Sequence, residues 1–335
     1  MIPALRNLGT DARAQLRKIA QPPWLSPMLA TLTDTPFSRE NWIFEPKFDG
    51  ERCLAFRRGR ELRLMSRNEI VMSDQYPELV AALMKQRVDA FIVDGEIVAF
   101  EGEVTSFTRM QARMHVANPP PSLIKETPVF YHLFDVLYLD GYDTTRLPLR
   151  DRKQVLREAF TFKEPLRYTD HRERDGLEFY REACKRGWEG LIAKRADAPY
   201  TQRRSPDWLK FKCVAEQEFV IGGYTDPQGS RVGFGALLIG YYEGGDLHYA
   251  GKVGTGYDDA TLVRLRKMLS RLEAKERPFV ETDFPRKGIH WVKPALVCQV
   301  GFTEWTPDHR LRHPRFLGLR DDKNPRDVVR ERPKG

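Results

Sequence analysis

The sequence predicts an α+β fold in two domains, a larger one of antiparallel sheets with flanking helices and a smaller β-barrel that follows it. Three observations lead to this prediction. The chain of 335 residues is long enough for two or three domains. Its first part alternates long β-prone runs with short helical patterns. After Glu216 the pattern changes to short strands with glycine-rich turns, which is typical of small barrels. We therefore place the domain boundary near residue 215.

The composition is that of a basic globular protein. Hydrophobic residues make up 41% of the chain, the mean hydropathy is −0.54, and no apolar run approaches the roughly eighteen residues of a membrane span. The first twenty residues hold no secretory signal, so we expect a cytoplasmic protein without a membrane partner. The net charge is 55 − 47 = +8, and from His309 onward nine Lys or Arg face four Asp or Glu. Such an excess is expected for a polyanionic partner.

The four cysteines give no sign of a metal site. Cys53, Cys184, Cys213 and Cys298 are far apart in sequence, and none forms a Cys-x-x-Cys pair. This distribution fits a reducing cytoplasm and does not support a structural zinc site.

The elements of the first domain follow from its patterns in order. Residues 10–20 have a cap-like start and a short helical pattern that ends at Gln21-Pro22-Pro23, so we treat residues 1–24 as an extension. Residues 52–57 and 62–66 flank a glycine-containing turn, which predicts an antiparallel hairpin. Other strands are predicted at residues 42–48, 91–100, 129–139 and 208–212, a turn followed by a strand at residues 187–195, and helices at residues 78–85, 149–160 and 176–185.

Charged side chains interrupt two of these strands. Asp94-Gly95-Glu96 lies inside a β-prone run, where buried carboxylates are costly unless they are paired or face a cleft. The segment is either a hairpin turn at Asp94-Gly95 or part of a functional site. In the predicted strand 208–212, the side chains of Lys210 and Lys212 lie on the same face. That face is either a solvated basic surface or part of a functional site.

The second domain, residues 216–335, reads as a small barrel. Its predicted strands are residues 219–224, 235–242, 247–252 and 296–302. An amphipathic helix is predicted at residues 259–273. Short strands around one helix suit an oligonucleotide-binding barrel, whose surface typically follows a nucleic-acid backbone.

The chain is organised around Lys47. Pro46 keeps Glu45 extended, and Asp49-Gly50 supplies a tight turn directly after the lysine. A lysine at the end of a strand, with Arg52 five residues later, suits covalent attack on a phosphate. A surface hairpin with a solvated lysine is the simpler interpretation of this short motif when it is taken alone.

The motifs together resemble the covalent nucleotidyltransferases, and specifically the ATP-dependent DNA ligases. The resemblance is strongest to the ligase module of bacterial end-joining ligase D and to the small stand-alone ligase C, and it runs from about residue 25 to 330. The segments that carry it are Glu45–Arg52, Ser66-Arg67-Asn68, Asp94-Gly95-Glu96, Phe134-Asp135, Glu189–Lys194, Trp208–Lys212, Arg312–Phe316 and Arg320–Lys323. It implies that residues 25–215 form an adenylation domain and residues 216–335 an OB-fold domain with a basic tail.

The resemblance also implies a role for each motif residue. Lys47 takes AMP from ATP, and its amine must lose its proton first, which nearby cations favour. Basic groups stabilise the charge that develops on the attacked phosphate. The implied nucleotide-binding residues are Glu45 beside the base, Phe134 stacked on adenine, Glu96 at the ribose, Arg52 and Arg67 at the ribose and phosphates, Lys210 and Lys212 at the α-phosphate, Lys194 as a nearby cation, and Arg312, Arg315, Arg320 and Lys323 at the pyrophosphate.

The implied reaction needs a metal and a broken DNA substrate. Glu189 and Glu96 are the implied ligands of Mg²⁺ or Mn²⁺. AMP passes from Lys47 to a 5′-phosphate, and a neighbouring 3′-hydroxyl then displaces it. We expect a monomer that acts on nicked or broken double-stranded DNA at the nucleoid. The helical DNA-binding domain of larger ligases and the other modules of ligase D are not visible, so recruitment by Ku is a hypothesis.

Two other functions stay open at this point. One is an RNA ligase or a GTP-using capping enzyme. Incubation with labelled ATP, GTP or NAD, followed by a comparison of nicked DNA with nicked RNA, would separate these from a DNA ligase. The other is a non-catalytic nucleic-acid-binding protein, although the acidic residues Glu96 and Glu189 have no use in binding a phosphate backbone. The preferred break, the tolerance of ribonucleotides and the choice between Mg²⁺ and Mn²⁺ are not encoded in recognisable motifs.

Overall fold

A computed structural model describes residues 1–33, 35–114, 116–213, 216–227, 229, 231–281, 283–284 and 288–331. The chain divides into two compact units, Met1–Cys213 and Val214–Arg332. The boundary predicted near residue 215 falls where residues 214 and 215 lie outside the described residues.

The helices of the described residues are short, and most of them belong to the first unit. They are α1 Pro3–Arg6, α2 Thr10–Gln15, α3 Pro77–Met84, α4 Phe107–Met110, α5 Pro121–Glu126, α6 Leu149–Ala159, α7 Gly176–Lys185 and, in the second unit, α8 Asp259–Ser270.

In the described part of the first unit, the strands form two main sheets and one small pair. The strands are β1 Arg17–Lys18, β2 Leu29–Leu32, β3 Trp42–Pro46, β4 Glu51–Arg58, β5 Glu61–Ser66, β6 Ala90–Val98, β7 Phe100–Glu101, β8 Val104–Thr105, β9 Phe130–Leu139, β10 Tyr142–Asp143, β11 Leu166–Tyr168, β12 Arg172–Glu173, β13 Gly190–Arg195 and β14 Arg204–Lys212. The larger sheet has the order β1-β10-β9-β6-β4-β5 with β11 beside β9, and the smaller has the order β12-β3-β13-β14-β2.

The two main sheets bury different faces. One face of the larger sheet packs with α3 and α6 in a core that includes Leu79, Val93, Leu133 and Leu156. A second cluster, with Leu54, Ile92 and Phe134 from the larger sheet and Trp208 from the smaller, joins the facing sides of the two sheets. Apolar residues on the remaining face of the smaller sheet pack against α7. The side chains between the two sheets are therefore held by both.

The second unit is a curled antiparallel sheet around its own core. Its strands are β15 Glu216–Thr225, β16 Leu237–Glu243, β17 Asp246–Val253, β18 Glu273–Ala274, β19 Ile289–Gly301, β20 Glu304–Trp305, β21 Leu311–Arg312 and β22 Arg315–Leu319. The curled sheet has the order β17-β16-β15-β19-β18, with β22 beside β19, and β20 and β21 form a separate pair. Leu262, Leu265 and Leu269 lie on one side of α8 and are buried in this core, as their helical spacing predicts.

The structure corrects two expectations from the sequence. The helix expected over residues 10–20 ends at Gln15, and β1 follows because residues 17 and 18 pair with β10. The cysteine pattern did not predict a disulfide, but Cys184 and Cys213 are bonded. This bond ties the end of α7 to the residue after β14, because the packing of α7 on the smaller sheet brings two distant positions together.

The structure also decides between the two interpretations of Asp94-Gly95. The segment lies inside β6, which pairs continuously with β4, and so the hairpin-turn interpretation is wrong. The hairpin of residues 52–57 and 62–66 is confirmed as β4 and β5. In the described part of the chain, no helix is both long enough and apolar enough to cross a bilayer.

Candidate active site

Lys47 and Glu189 meet at the ends of two neighbouring strands. β3 and β13 are antiparallel, and Pro46 at the end of β3 lies opposite Leu191. Lys47, the next residue after β3, therefore lies beside Glu189 and Gly190 at the start of β13. The Lys47 backbone N–H donates to the Gly190 carbonyl at 2.9 Å. The Lys47 Nζ donates to Glu189 Oε1, and the two side chains are 18% and 10% exposed. The predicted nucleophile is thus mostly shielded from water and held by a carboxylate.

Gly190 sets the geometry next to this pair. Its φ of +150° lies in the region that favours glycine, and an added Cβ would lie 1.8 Å from the Phe211 carbonyl oxygen. β13 can therefore approach β14 closely only because residue 190 has no side chain.

The lysines of β14 lie on the face of the sheet that carries Glu45. Lys212 pairs with Gly190 and Lys210 with Ile192, and Ile192 also pairs with Glu45. Directly paired residues in an antiparallel sheet share a face. Both lysines are half-buried. The register therefore brings Lys210, Lys212 and Glu45 together on the side that faces the larger sheet.

Glu45 is buried between two lysines. Its carboxylate contacts Lys153 through Oε1 and Lys194 through Oε2, the latter at 2.5 Å, and all three side chains are 2% exposed. Burial alone would raise the pKa of Glu45, but the two lysines lower it below its ordinary value. Burial lowers the pKa of Lys194 to about 8, although Glu45 opposes this shift.

Phe134 lies under two cations. The Lys194 Nζ is 4.1 Å from the Phe134 ring centroid and 4.1 Å from that of Trp208. The Arg52 guanidinium is 4.6 Å from the Phe134 ring centroid. The ring expected to stack on a base is 7% exposed, and these cations cover it.

Arg52 is held in place by Asp94. The guanidinium donates to both carboxylate oxygens at 2.6 Å, and the Tyr200 hydroxyl donates to the same carboxylate at 2.7 Å. Burial would lower the pKa of Arg52, but Asp94 raises it overall. Asp94 is fully buried, and its pairing with Arg52 explains why an aspartate can stand inside β6.

Glu96 lies beside Arg52 across the strands. The register places Arg52 opposite Glu96, and Glu96 opposite His132. Glu96 is half-buried and is one of the charges that raise the pKa of Arg52. The centroid of the His132 ring is 4.2 Å from that of the Phe48 ring. The pKa of His132 is lowered to about 3, mainly by burial and further by the nearby positive charge of Arg167. A neutral imidazole thus stands next to the predicted ribose ligand.

Sequence reasoning missed two buried cations from α6. Arg152 donates to both carboxylate oxygens of Asp135 at 2.7 and 2.9 Å, and neither side chain is exposed. The next residue, Lys153, contacts Glu45. The only signal in the sequence was the position of both residues in a helix with an apolar stripe, where long polar side chains usually reach water.

Arg67 is not brought into this cluster. It is half-buried in the turn after β5, where Ser66 Oγ accepts from the backbone N–H of Asn68 and of Ile70. Among the residues that the structure describes, no contact joins its guanidinium to Lys47, Glu45 or Phe134.

The four predicted pyrophosphate contacts lie in the second unit. Arg312 pairs with Glu304 at 2.7 Å, and both side chains are more than half exposed. Arg315 is exposed on β22. Lys323 contacts Glu218 at 3.2 Å.

Arg320 has a structural partner within the second unit. It donates from Nε and Nη2 to the two oxygens of Asp322, both at 2.8 Å, and is 8% exposed. Burial would raise the pKa of Asp322, but Arg320 and then Lys323 hold it at about 2. The roles of these four residues toward a nucleotide stay predictions.

The carboxylates fit a metal that binds together with a nucleotide. Within the described ranges, no group of three or more His, Cys, Asp or Glu side chains could hold a metal ion by itself. Mg²⁺ is usually bound through one or two carboxylates, substrate phosphates and water. Glu189, beside Lys47, and Glu96 supply oxygen donors of that kind.

Family models match both units of the chain. Residues 27–212 match the ATP dependent DNA ligase domain, and residues 230–323 match the ATP dependent DNA ligase C terminal region. These matches favour an ATP-dependent DNA ligase over an RNA ligase, a GTP-using capping enzyme or a non-catalytic nucleic-acid-binding protein.

Curated relatives agree with these matches. The chain is 35% identical over 326 residues to the multifunctional non-homologous end joining protein LigD of Pseudomonas aeruginosa, covering 95% of this chain and 38% of that protein. It is 40% identical over 315 residues to the multifunctional non-homologous end joining DNA repair protein LigD of Mycobacterium tuberculosis, covering 92% and 40%. The chain thus spans about two fifths of the length of these curated relatives.

A solved structure supports the same assignment. The mycobacterial DNA ligase D complexed with ATP and MES is 37% identical, with a TM-score of 0.65, and the match covers 92% of this chain and 98% of that one. The α+β prediction and the family resemblance are both confirmed. This chain belongs to the family of ATP-dependent DNA ligases, with a nucleotidyltransferase domain followed by an OB-fold domain.

Proposed function

We propose that the chain joins 5′-phosphate to 3′-hydroxyl ends of double-stranded DNA, with Lys47 as the residue that carries AMP. The observation that supports this most directly is the contact between the Lys47 amine and Glu189, on a sheet face that also carries Lys210 and Lys212. A solvated surface lysine would need neither the shielding nor the charged neighbours.

The first step transfers AMP from ATP to the lysine. The neutral Lys47 amine attacks the α-phosphorus, a P–N bond forms, and the bond to the pyrophosphate oxygen breaks so that pyrophosphate leaves. The amine loses a proton in this step, and Glu189 already accepts a hydrogen bond from it. Lys210 and Lys212 lie on the same face, where they can stabilise the charge that develops on the phosphate oxygens.

Steps two and three leave the enzyme unmodified. The 5′-phosphate at a break attacks the lysyl-AMP phosphorus and the P–N bond breaks, which returns the amine. A 3′-hydroxyl then attacks the activated 5′-phosphate, and AMP departs as the phosphodiester forms. Lys47 is covalently loaded only between the first two steps.

The base and ribose would lie between the two sheets of the first unit. Phe134 offers a ring face, Glu45 a carboxylate and Arg52 a positive group, and all three are held by buried neighbours. Arg67 would reach the phosphates of nucleotide or DNA from its turn. In the second unit, Arg312, Arg315, Arg320 and Lys323 would meet the pyrophosphate.

A divalent ion, Mg²⁺ or Mn²⁺, would be held by Glu189 and Glu96 together with the nucleotide. When bound, it neutralises phosphate charge and so favours attack by an amine. Glu189 contacts the Lys47 amine, and Glu96 lies opposite Arg52 on the neighbouring strand.

We place the protein in end joining at the bacterial nucleoid, because the two curated relatives are named for non-homologous end joining. The substrate is then a nick or a two-ended break, and Ku is a candidate partner. We expect purified Ku to stimulate the joining of linear DNA more than the sealing of a nick. Equal rates with and without Ku would exclude this partner.

The proposed chemistry is tested by intact mass after incubation with Mg²⁺ and ATP, GTP or NAD. We expect one AMP adduct with ATP only, its absence in Lys47→Ala, and its transfer to nicked DNA with a 5′-phosphate. Lys163→Ala, at an exposed position, should behave as the wild type. No adduct on the folded wild-type chain with any of the three would refute the proposal.

A further inference from the structure

Lys153 is buried at the base end of the site, although it belongs to none of the ligase motifs. It lies on α6, and its Nζ contacts Glu45 Oε1 and donates to the Thr169 carbonyl at 2.8 Å. The Tyr168 ring centroid is 4.7 Å from the same Nζ. A cleft of about 560 Å³ at the start of β3 reaches this side chain from outside.

The charges in this cluster do not cancel. One carboxylate, Glu45, contacts two lysines, Lys153 and Lys194, and all three side chains are 2% exposed. Burying a lysine is unfavourable unless it is paired, and a second buried lysine on the same carboxylate adds no stability that an apolar residue could not supply. Stability alone therefore does not explain why Lys153 is present.

The two lysines hold Glu45 from different elements. Lys194 comes from β13 and its amine lies against the rings of Phe134 and Trp208. A base that stacks on Phe134 must displace a cation from that ring, because Lys194 and Arg52 cover it. Lys153 contacts Glu45 from α6 and has no contact with the Phe134 ring among the described residues. It can therefore keep the carboxylate in place while the base enters.

We propose that Lys153 is a positioning residue that fixes the Glu45 carboxylate as a hydrogen-bond acceptor and so makes the pocket select a purine with an amino group at position 6. The inference rests on the proposed function, because it assumes that the base stacks on Phe134 beside Glu45.

The selectivity follows from donor and acceptor chemistry. An ionised carboxylate only accepts hydrogen bonds, so it pairs with the 6-amino group of adenine. A 6-oxo group also only accepts, and two acceptors facing each other in a buried site are unfavourable. Without Lys153, Glu45 has one cation fewer and can rotate or take up a proton, after which it no longer rejects the 6-oxo group.

ATP and ITP are the matched pair of substrates for the test, because their bases differ only in the group at position 6 and in the proton that N1 carries in ITP. The rate of lysyl-nucleotide formation on Lys47 would be measured against nucleotide concentration for the wild type and for Lys153→Met. We expect Lys153→Met to lower the ATP-to-ITP ratio of kcat/KM about ten-fold, through a higher KM for ATP and a lower KM for ITP. An unchanged ratio in this folded variant would overturn the proposal.

Three further variants separate positioning from general stability. Lys163→Met removes the same charge from an exposed position and should leave the ratio unchanged. Lys153→Arg keeps the charge and should restore part of the ratio, and it replaces Lys153→Met if that variant does not fold. In the Glu45→Gln background, Lys153→Met should have no further effect on the ratio, whereas independent effects would contradict the proposal.

The wild-type control separates the two hypotheses. If the wild type forms no lysyl-AMP with ATP, the proposed function is wrong. If it forms lysyl-AMP but Lys153→Met keeps the wild-type preference, only the role of Lys153 is wrong.

Discussion

The Lys47 amine donates to the Glu189 carboxylate across the ends of two strands that pair with each other. This contact holds a nucleophile without exposing it. It also means that the amine must leave its carboxylate partner, or pass its proton to it, before it can attack a phosphate.

Replacement of Glu189 by glutamine should slow lysyl-AMP formation about 100-fold, because the amide is neutral and cannot hold a divalent ion or accept the amine proton in the same way. Single-turnover adenylation with saturating ATP would measure the effect. Glu178→Gln, at an exposed position on α7, is the matched control and should match the wild type. A Glu189→Gln rate within two-fold of the wild type would exclude a role in the chemical step.

Alanine at Lys210 or at Lys212 should each lower the rate of lysyl-AMP formation about 100-fold while the protein keeps its folded stability. The two side chains share the sheet face beside Glu189 and are only half-buried, so their loss leaves no large cavity. Lys125→Ala, on the exposed part of α5, controls for a change in net charge. Adenylation and thermal unfolding measured on the same samples would distinguish lost chemistry from lost folding.

Gly190→Ala should be strongly destabilising, by about 4 kcal/mol or more, because the new Cβ would overlap the Phe211 carbonyl of the paired strand. Gly187→Ala is a matched control, since Gly187 also has a positive φ of +75° but no atom within 4 Å of an added Cβ. We expect it to cost about 1 kcal/mol, from backbone strain alone. Urea unfolding compares the two, and equal losses would refute the steric explanation.

Reduction of the Cys184–Cys213 bond should lower the free energy of unfolding by about 3 kcal/mol, since it closes a loop of 29 residues in sequence separation. Thiol labelling of the unfolded chain should find two free cysteines before reduction, Cys53 and Cys298, and four after it. Cys184→Ser should have the same stability with and without reductant. A wild-type chain that labels at four thiols without reductant would show that the bond does not form in solution.

The stability of the first unit should rise between pH 8 and pH 10. Lys194 has a pKa of about 8 in the folded chain, below its ordinary value of 10.5, so the unfolded chain binds more protons in this window. The full shift corresponds to about 3 kcal/mol. Subtracting the Lys194→Met curve from the wild-type curve isolates this contribution, and Lys163→Met should keep the wild-type slope. A difference in the free energy of unfolding that does not vary with pH would contradict the lowered pKa of the buried Lys194 side chain.

Much of the fold could be predicted because its signals are local. The hairpin of β4 and β5 follows from alternation around a turn, and α7 has the predicted limits of residues 176–185. The helix predicted at residues 10–20 was too long because residues 17 and 18 pair with residues 143 and 142 of β10, which lie far along the chain and which no local pattern reveals. Cys184 and Cys213 were missed for the same reason.

The site was only partly visible in the sequence. The motifs marked Lys47 and Glu189, and the strand register shows that they meet. Asp94 had two interpretations, because a turn and a buried ion pair both place a carboxylate before a glycine. Lys153 was not foreseen, since a lysine in an amphipathic helix usually reaches water and only the fold shows that this one ends on Glu45.

The alternation along β14 has a consequence for how the site can fail. Lys210 and Lys212 face the larger sheet, whereas Phe211 on the opposite side packs with Phe37 and Phe44. A slip of one residue against β13 would drive two ammonium groups into that aromatic cluster and push the phenylalanine out. The free-energy cost of burying these ammonium groups thus disfavours a misaligned β14, and with it a misassembled site. In molecules that complete folding, Lys210 and Lys212 therefore lie on the face of β14 that carries the site.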